Sequence, residues 1–177
     1  MIGFDGAALK ALVVEDNPNF SLLIRSVLLA IGVRSIEEAT DGAAALNGMK
    51  TVTPDLVIVD WRMVPMNGVD FAKQVRVGPD SPNPFVPIIM VSGYTEPSLV
   101  AAARDVGVNE FMAKPISARI LTARIESVFL RPRPFVRAHS YFGPDRRRKR
   151  VPRAGEERRL QQEPVIYPGI FPMNTRP

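Results

Sequence analysis

DLVIVDWRMVPMNGVDF, residues 55–71, decides the fold. Leu56 to Val59 form an unbroken apolar run that ends at Asp60, and from Val69 to Val75 the apolar residues change to helical spacing. A strand with no polar face is one buried on both sides, which is the situation in a parallel sheet covered by helices above and below. Working outward, four more strand candidates appear: KALVVE (10–15), RSIEEA (34–39), FVPIIMV (85–91) and NEFMA (109–113). Between and after them lie segments of helical periodicity. The first carries Phe20, Leu23, Ile24, Val27, Leu28 and Ile31, and others run over 43–49, 69–75 and 99–106. A last one has Ile120, Leu121, Ile125, Val128 and Phe129 on one side. Pro18 and Pro97 open two of these helices, and Gly32 and Gly107 close them. Strand and helix alternate five times. Right-handed crossovers wind such a chain into an α/β fold, a (βα)5 doubly wound parallel five-stranded sheet.

The chain has 177 residues, with 23 Lys plus Arg against 18 Asp plus Glu, one His and no Cys. Its charge is split: residues 1–130 hold 11 basic and 14 acidic groups, net −3, whereas residues 131–177 hold 12 and 4, net +8. The absence of Cys excludes disulfides and thiolate-bound metals, and a single His leaves no catalytic or metal-binding His cluster. LLIRSVLLAIGV, from Leu22, is about half a membrane span and is broken by Arg25. The N-terminus lacks the basic and apolar regions of an export signal, so a cytoplasmic protein is expected. After Leu130 the periodicity stops. The 47 remaining residues contain 8 Pro and 11 Arg, too little apolar surface for a second core, and predict an extended or disordered basic tail with one short helix around Gly155 to Glu163.

In an open parallel sheet the functional crevice lies at the carboxyl ends of the strands. The polar residues found there are Glu15 and Asp16 after the first strand, Asp60 after the third, Ser92 after the fourth and Lys114 after the fifth. Crowded carboxylates repel unless a cation sits among them, and hard oxygen donors suit Mg²⁺. Asp60 would then act as nucleophile toward a phosphoryl donor, with Lys114 and the Ser92 hydroxyl stabilising the equatorial oxygens as charge builds. Taken singly, each residue has a plainer role: a helix N-terminus for Glu15 and Asp16, a cap for Asp60, a turn for Ser92, a solvated charge for Lys114. Convergence of four strand ends on one chemistry argues for the set.

These residues carry a resemblance. LVVEDNPNF, LVIVDWRMVPMNGVDF, IIMVSGY and FMAKPI follow one another as in response-regulator receiver domains of the CheY-like kind, over Met1 to about Leu130. The resemblance implies the flavodoxin-like architecture and phosphorylation of Asp60 by a histidine kinase or phosphotransfer protein. It implies Mg²⁺ held by Glu15, Asp16, Asp60 and the backbone carbonyl of Arg62, and a switch pair of Ser92 and Phe111. A cis peptide bond before Pro115 belongs to the same pattern, as does output by protein–protein contacts rather than enzymatic turnover. The chain departs from that pattern where Val64 separates Met63 from Pro65, where Arg62 and Tyr94 flank the site, and in the Pro-rich stretch GPDSPNPFVP, 78–87. Haloacid-dehalogenase-like phosphatases also use an Asp nucleophile and Mg²⁺ on a parallel sheet. They place a second Asp two residues later, where this chain has Arg62, and that reading is rejected.

The tail interleaves aromatic and basic residues. Arg137, Tyr141, Phe142, Asp145, Arg146, Arg147, Arg148, Arg150 and Arg153 offer guanidinium forks for guanine edges and phosphates, rings for base stacking and one carboxylate. SYFGPDRRRKR is similar to the arginine-rich extension of CheY-like proteins from flagellated alphaproteobacteria that bind cyclic di-GMP and act at the flagellar motor, which makes that dinucleotide the expected ligand. The alternative is a linker that binds polyanions such as nucleic acid without specificity, or docks a partner. Specific DNA binding is not expected. VIYPGIF, 165–171, is left as either a partner-docking peptide or a segment folded back on the domain.

Overall fold

The structure is a computed structural model; it describes residues 6–138 and 141–146, and the backbone of Pro164–Val165. After a 3-10 turn at Gly6–Ala8 the chain forms β1 (Lys10–Val14), α1 (Pro18–Ala30), β2 (Ser35–Ala39), α2 (Gly42–Gly48) and β3 (Leu56–Asp60). There follow α3 (Gly68–Val77), β4 (Ile88–Ser92), α4 (Pro97–Asp105), β5 (Glu110–Ala113) and α5 (Ala118–Leu130). The five strands are parallel, in the order β2-β1-β3-β4-β5. This is the doubly wound (βα)5 sheet that the periodicity predicts.

Alternate residues of the central strands feed two cores. Ala11, Val13, Ile58, Ile89 and Val91 face α1 and α5, where they meet Ile24, Leu28, Leu121 and Ile125. Leu12, Val14, Val57, Val59, Ile88 and Met90 face the other way, against Met49 of α2's end, Phe71 and Val75 of α3 and Ala103 of α4. RSIEEA is the least apolar strand in sequence because β2 is an edge strand, and its Glu37 and Glu38 are solvent-exposed. Side-chain caps start the helices: Asn17, Asp41, Asn67 and Ser117 each accept backbone N–H groups at the N-termini of α1, α2, α3 and α5. The Lys114–Pro115 bond is cis, as the resemblance implies, and so is Val64–Pro65, which the sequence did not suggest.

The expectation of an extended chain after Leu130 does not hold for residues 135–144. Phe135–Ala138 (β6) and Tyr141–Pro144 (β7) pair antiparallel, and Pro164–Val165 (β8) pairs with the other edge of β6. Val165 thus folds back onto the hairpin. The physical reason lies in what the hairpin covers. Phe135 and Phe142 are buried and form a three-ring cluster with Phe85 of the α3–β4 loop, with centroids 5.1–5.6 Å apart. Beneath them Arg76, only 3% exposed, donates to Gly107 O, Pro84 O and Asn109 Oδ1, and its guanidinium lies 5.2 Å from the Phe135 ring centroid. Gly107, at φ 88°, ends the turn after α4, and a Cβ on Gly143 would come within 2.7 Å of its Cα. Two glycines back to back let the hairpin backbone sit directly on the domain. The predicted helix around Gly155 to Glu163 and the remainder of VIYPGIF lie outside the described residues.

Tyr141 supplies a pH signature for this docking. Its hydroxyl donates to Pro144 O at 2.6 Å, and burial lifts the phenol above the ordinary value of 10.0, opposed by the nearby Arg146, Arg76 and Arg133 charges. A pKa raised on folding gives stability that is fully present below the unfolded value and is lost as pH rises through the folded value. Ultraviolet titration is therefore expected to show one late-ionising tyrosine, absent from Tyr141→Phe, with hairpin amide protection falling as that group titrates. A Tyr141 that ionises with an unshifted midpoint would contradict the packing described.

Candidate functional site

The carboxyl ends of β1, β3, β4 and β5 open on one edge of the sheet. Asp60 is the last residue of β3, and Glu15 and Asp16 follow directly after β1, one strand away in the order β1-β3. Carboxylate oxygens of Glu15, Asp16 and Asp60 lie within 4.8 Å of one another, with Glu15 and Asp60 buried and Asp16 exposed. Lys114 comes across from the end of β5: its Nζ is 2.7 Å from Asp60 Oδ1 and 2.8 Å from Glu15 Oε2. The ring of Phe20, on α1, lies 3.9 Å from the same ammonium, a cation–π contact that the sequence reading missed. Burial pushes the Glu15 carboxyl above its ordinary pKa and the neighbouring Asp60 charge adds to this, although the Lys114 hydrogen bond opposes it. Burial also works against the Lys114 ammonium, yet its bonds to Asp60 and Glu15 outweigh that and hold its pKa above the ordinary lysine value. One cation thus partly neutralises a crowded set of hard oxygen donors, and the set fits a small divalent ion.

The loop after β3 is tightly fixed. Trp61 N donates to Val91 O at 2.8 Å, and Arg62 N donates to Asp60 Oδ2 at 2.8 Å. Gly68 opens α3 against this turn, and a Cβ there would lie 2.1 Å from Asp60 O, so no larger residue fits without moving the backbone that carries the carboxylate. Ser92, 1% exposed, accepts the backbone N–H of Tyr94 at 3.0 Å, which leaves its own O–H to donate. Phe111, half-buried on β5, meets Trp61 edge-on, with centroids 6.3 Å apart. Trp61 was not singled out from the sequence. Beside the carboxylates an open groove of about 520 Å³ is lined by Asp16, Trp61, Met63, Val64, Asn67 and Asp70.

The structure therefore brings Glu15, Asp16, Asp60, Lys114, Ser92 and Arg62 to one rim, with Phe111 behind it. The tail residues belong elsewhere. Tyr141 and Phe142, offered to nucleotide bases by the sequence reading, are instead buried in the hairpin packing, a correction that follows from the three-ring cluster. Their outer neighbours are arginines of the chain itself: Arg137 lies 4.5 Å from the Phe142 ring centroid and Arg146 4.6 Å from that of Tyr141. Arg146 also pairs with Asp105 at the end of α4, at 2.8 Å. Asp145 donates its N–H to Pro134 O, and its carbonyl accepts from Arg133. Arg147, Arg148, Arg150 and Arg153 lie outside the described residues. Among the described residues no helix is long and apolar enough to cross a membrane.

Comparison with known proteins agrees with the geometry. The sequence profile of the response regulator receiver domain matches residues 11–126. The chain is 31% identical over 123 residues to the chemotaxis protein CheY of Pseudomonas aeruginosa, covering 70% of this chain and 98% of that one. It is 29% identical over 123 residues to CheY-3 of Vibrio cholerae, covering 70% and 93%. Among solved structures, Vibrio cholerae CheY4 superposes with a TM-score of 0.63 at 29% identity, over 68% of this chain and 98% of that one. The receiver domain of a Pseudomonas aeruginosa sensor histidine kinase, solved with a magnesium ion in its active site cleft, shares the fold at a TM-score of 0.60 and 24% identity, over 69% and 97%. On its matched motifs, its strand order and its acidic rim, the chain belongs to the response regulator receiver domain family and is CheY-like within it.

Proposed function

We propose that this protein is a CheY-like response regulator of a two-component phosphorelay, in which Asp60 accepts a phosphoryl group from a histidine kinase or phosphotransfer protein and the signal leaves by protein–protein contacts. The observation that carries this reading is the buried Asp60 carboxylate at the end of β3, with an ammonium at 2.7 Å and two further carboxylates within 4.8 Å. An Asp60 oxygen attacks phosphorus as the bond from phosphorus to the donor's imidazole nitrogen breaks, and the donor ring, protonated on its other nitrogen, leaves as neutral imidazole. Lys114, already at the carboxylate, pairs with the transferred oxygens, and the free Ser92 O–H donates to another. Glu15, Asp16, Asp60 and the Arg62 carbonyl would hold Mg²⁺, which when bound neutralises phosphoryl charge. That a receiver domain of the same fold holds magnesium in its cleft supports this choice of ion. Ser92 and Phe111 would form the switch, the hydroxyl moving toward the phosphoryl group while the aromatic ring turns inward.

For the arginine-rich segment, the described residues favour the plainer of the two readings, a basic extension that attracts polyanions or docks a partner. Tyr141 and Phe142 are covered in this fold, so a cyclic di-GMP site on this segment would have to stack its bases on guanidinium planes instead.

Incubation of the protein with radiolabelled acetyl phosphate tests the central proposal. The expected result is Mg²⁺-dependent, alkali-labile labelling, blocked by a chelator and mapped to the peptide containing Asp60. Absence of label at saturating donor and Mg²⁺, or label on another residue, overturns it.

A further inference from the structure

We infer that Phe20 is a positioning residue for phosphoryl transfer, its ring face holding the Lys114 ammonium at the site while the carboxylates beside it change partners; this rests on Asp60 being the phosphoacceptor. An ammonium carries three N–H donors. Around Lys114 Nζ stand Asp60 Oδ1 at 2.7 Å, Glu15 Oε2 at 2.8 Å and the Phe20 ring, with its centroid at 3.9 Å. A cation over a ring is attracted to the negative face of the π-system, more strongly where water is partly excluded, and the Lys114 side chain is 22% exposed. The ring itself is fixed from two sides. Asn17 caps α1 by accepting Phe20 N at 3.2 Å, and its own N–H donates to Glu15 Oε1 at 3.3 Å, so one short turn sets the ring against the carboxylate. On its inner side Phe20, half-buried, packs on the core shared by α1 and α5.

The three contacts differ in what the reaction does to them. With acetyl phosphate as donor, an Asp60 oxygen bonds to phosphorus as the bond from phosphorus to the acetyl oxygen breaks, and acetate leaves as a carboxylate with no proton transferred. Asp60 thereby exchanges its carboxylate charge for a mixed anhydride. Glu15 belongs with Asp60 to the set that fits a divalent ion, so its charge is also claimed elsewhere. The ring alone competes for neither ion nor phosphoryl group. It keeps the ammonium where it can donate to the transferred oxygens, at the stage when the carboxylates attract it least. A ring present only for packing would be replaceable by another apolar side chain of similar bulk, and that difference can be measured.

Phe20→Leu keeps the apolar bulk and removes the π face, whereas Phe20→Tyr keeps both. In the full-length protein with radiolabelled acetyl phosphate and Mg²⁺, Phe20→Leu is expected to take label about five-fold more slowly than the wild type, equivalent to about 1 kcal/mol in the barrier. Phe20→Tyr should label at nearly the wild-type rate. In a Lys114→Ala background, where there is no ammonium to hold, Phe20→Leu should bring no further loss. A readout independent of the reaction is the NMR shift of the Lys114 ε-methylene protons in the metal-free protein, which the ring face moves upfield and which Phe20→Leu should return to the ordinary lysine position. Equal labelling rates in Phe20→Leu and wild type, a Phe20→Tyr as slow as Phe20→Leu, or a loss that persists without Lys114 overturns the positioning role while leaving the phosphoacceptor in place. An ordinary ε-methylene shift in the wild type does the same. Failure of the wild-type protein to take label overturns the phosphoacceptor and the positioning role with it.

Discussion

Asp60→Asn is expected to lose all phosphorylation while folding as well as the wild type. The chemical part is direct. The carboxamide oxygen carries no negative charge and its attack on phosphorus yields no stable acyl phosphate, so the label should fall to background rather than decline by a factor. The stability part is a balance. Asp60 sits within 4.8 Å of Glu15 and Asp16, and its charge helps push the Glu15 carboxyl upward, so neutralising it relieves repulsion. Against that, Lys114 loses the partner at 2.7 Å but retains Glu15 at 2.8 Å. Removing one member of a crowded charge cluster that stays charge-paired leaves two opposing effects of similar size, and the net change should be within about 1 kcal/mol. Mg²⁺ separates this from a trivial loss of structure. It should raise the wild-type melting temperature, because an ion that binds only the folded state stabilises it by mass action, and should raise the variant's far less. Persistent labelling of a well-folded Asp60→Asn protein would refute the assignment of the nucleophile. A variant that fails to melt cooperatively would instead show that Asp60 is needed for the fold.

The parts of this molecule that were legible in sequence are those fixed by local pattern. DLVIVD and FVPIIMV read as strands buried on both faces because β3 and β4 are central, and alternate residues of each do serve two different cores. The carboxyl-end rule then collected Asp60, Ser92, Lys114 and the Glu15–Asp16 pair without any knowledge of distances, since parallel strands place all their ends on one edge. What escaped depends on partners distant in the chain. Arg76 reads as a solvated charge in a polar helix and is in fact buried, because Gly107, Pro84 and Asn109 each supply an acceptor. Arg62 and Tyr94 read from sequence as flanking the site, but their contact with each other joins residues 32 apart and has no local signal. The hairpin was hidden by composition. Proline and arginine density in the tail outweighed a short-range signal, the aromatic runs FVRA and YFGP separated by two residues, which is the spacing of a tight hairpin.

Phe135→Ala in the full-length chain should cost about 3–5 kcal/mol of unfolding free energy, as expected for deleting a buried phenyl ring that the surroundings cannot refill. Phe135 is 1% exposed and touches the rings of Phe85 and Phe142 at centroid distances of 5.3 and 5.6 Å. It also covers the guanidinium of Arg76, at 5.2 Å, and so shields the hydrogen bonds that tie α3 to the turns before β4 and β5. Collapse into the space is resisted because the hairpin backbone rests on Gly107 through Gly143, with no side chains there to repack. Urea denaturation measures the loss. Ending the chain at Leu130 should cost at least as much, since it uncovers Phe85 and Arg76 together. Domains of this size have only about 5–15 kcal/mol of total stability, so either change should remove a large fraction of it. A chain ending at Leu130 that is as stable as the full-length protein would show that the hairpin merely lies on the surface. A matching loss in both variants would make residues 135–144 part of the receiver itself, and the arginine run that begins at Arg146 would then start from a fixed point beside the end of α4, held there by Asp105, rather than from a free tail.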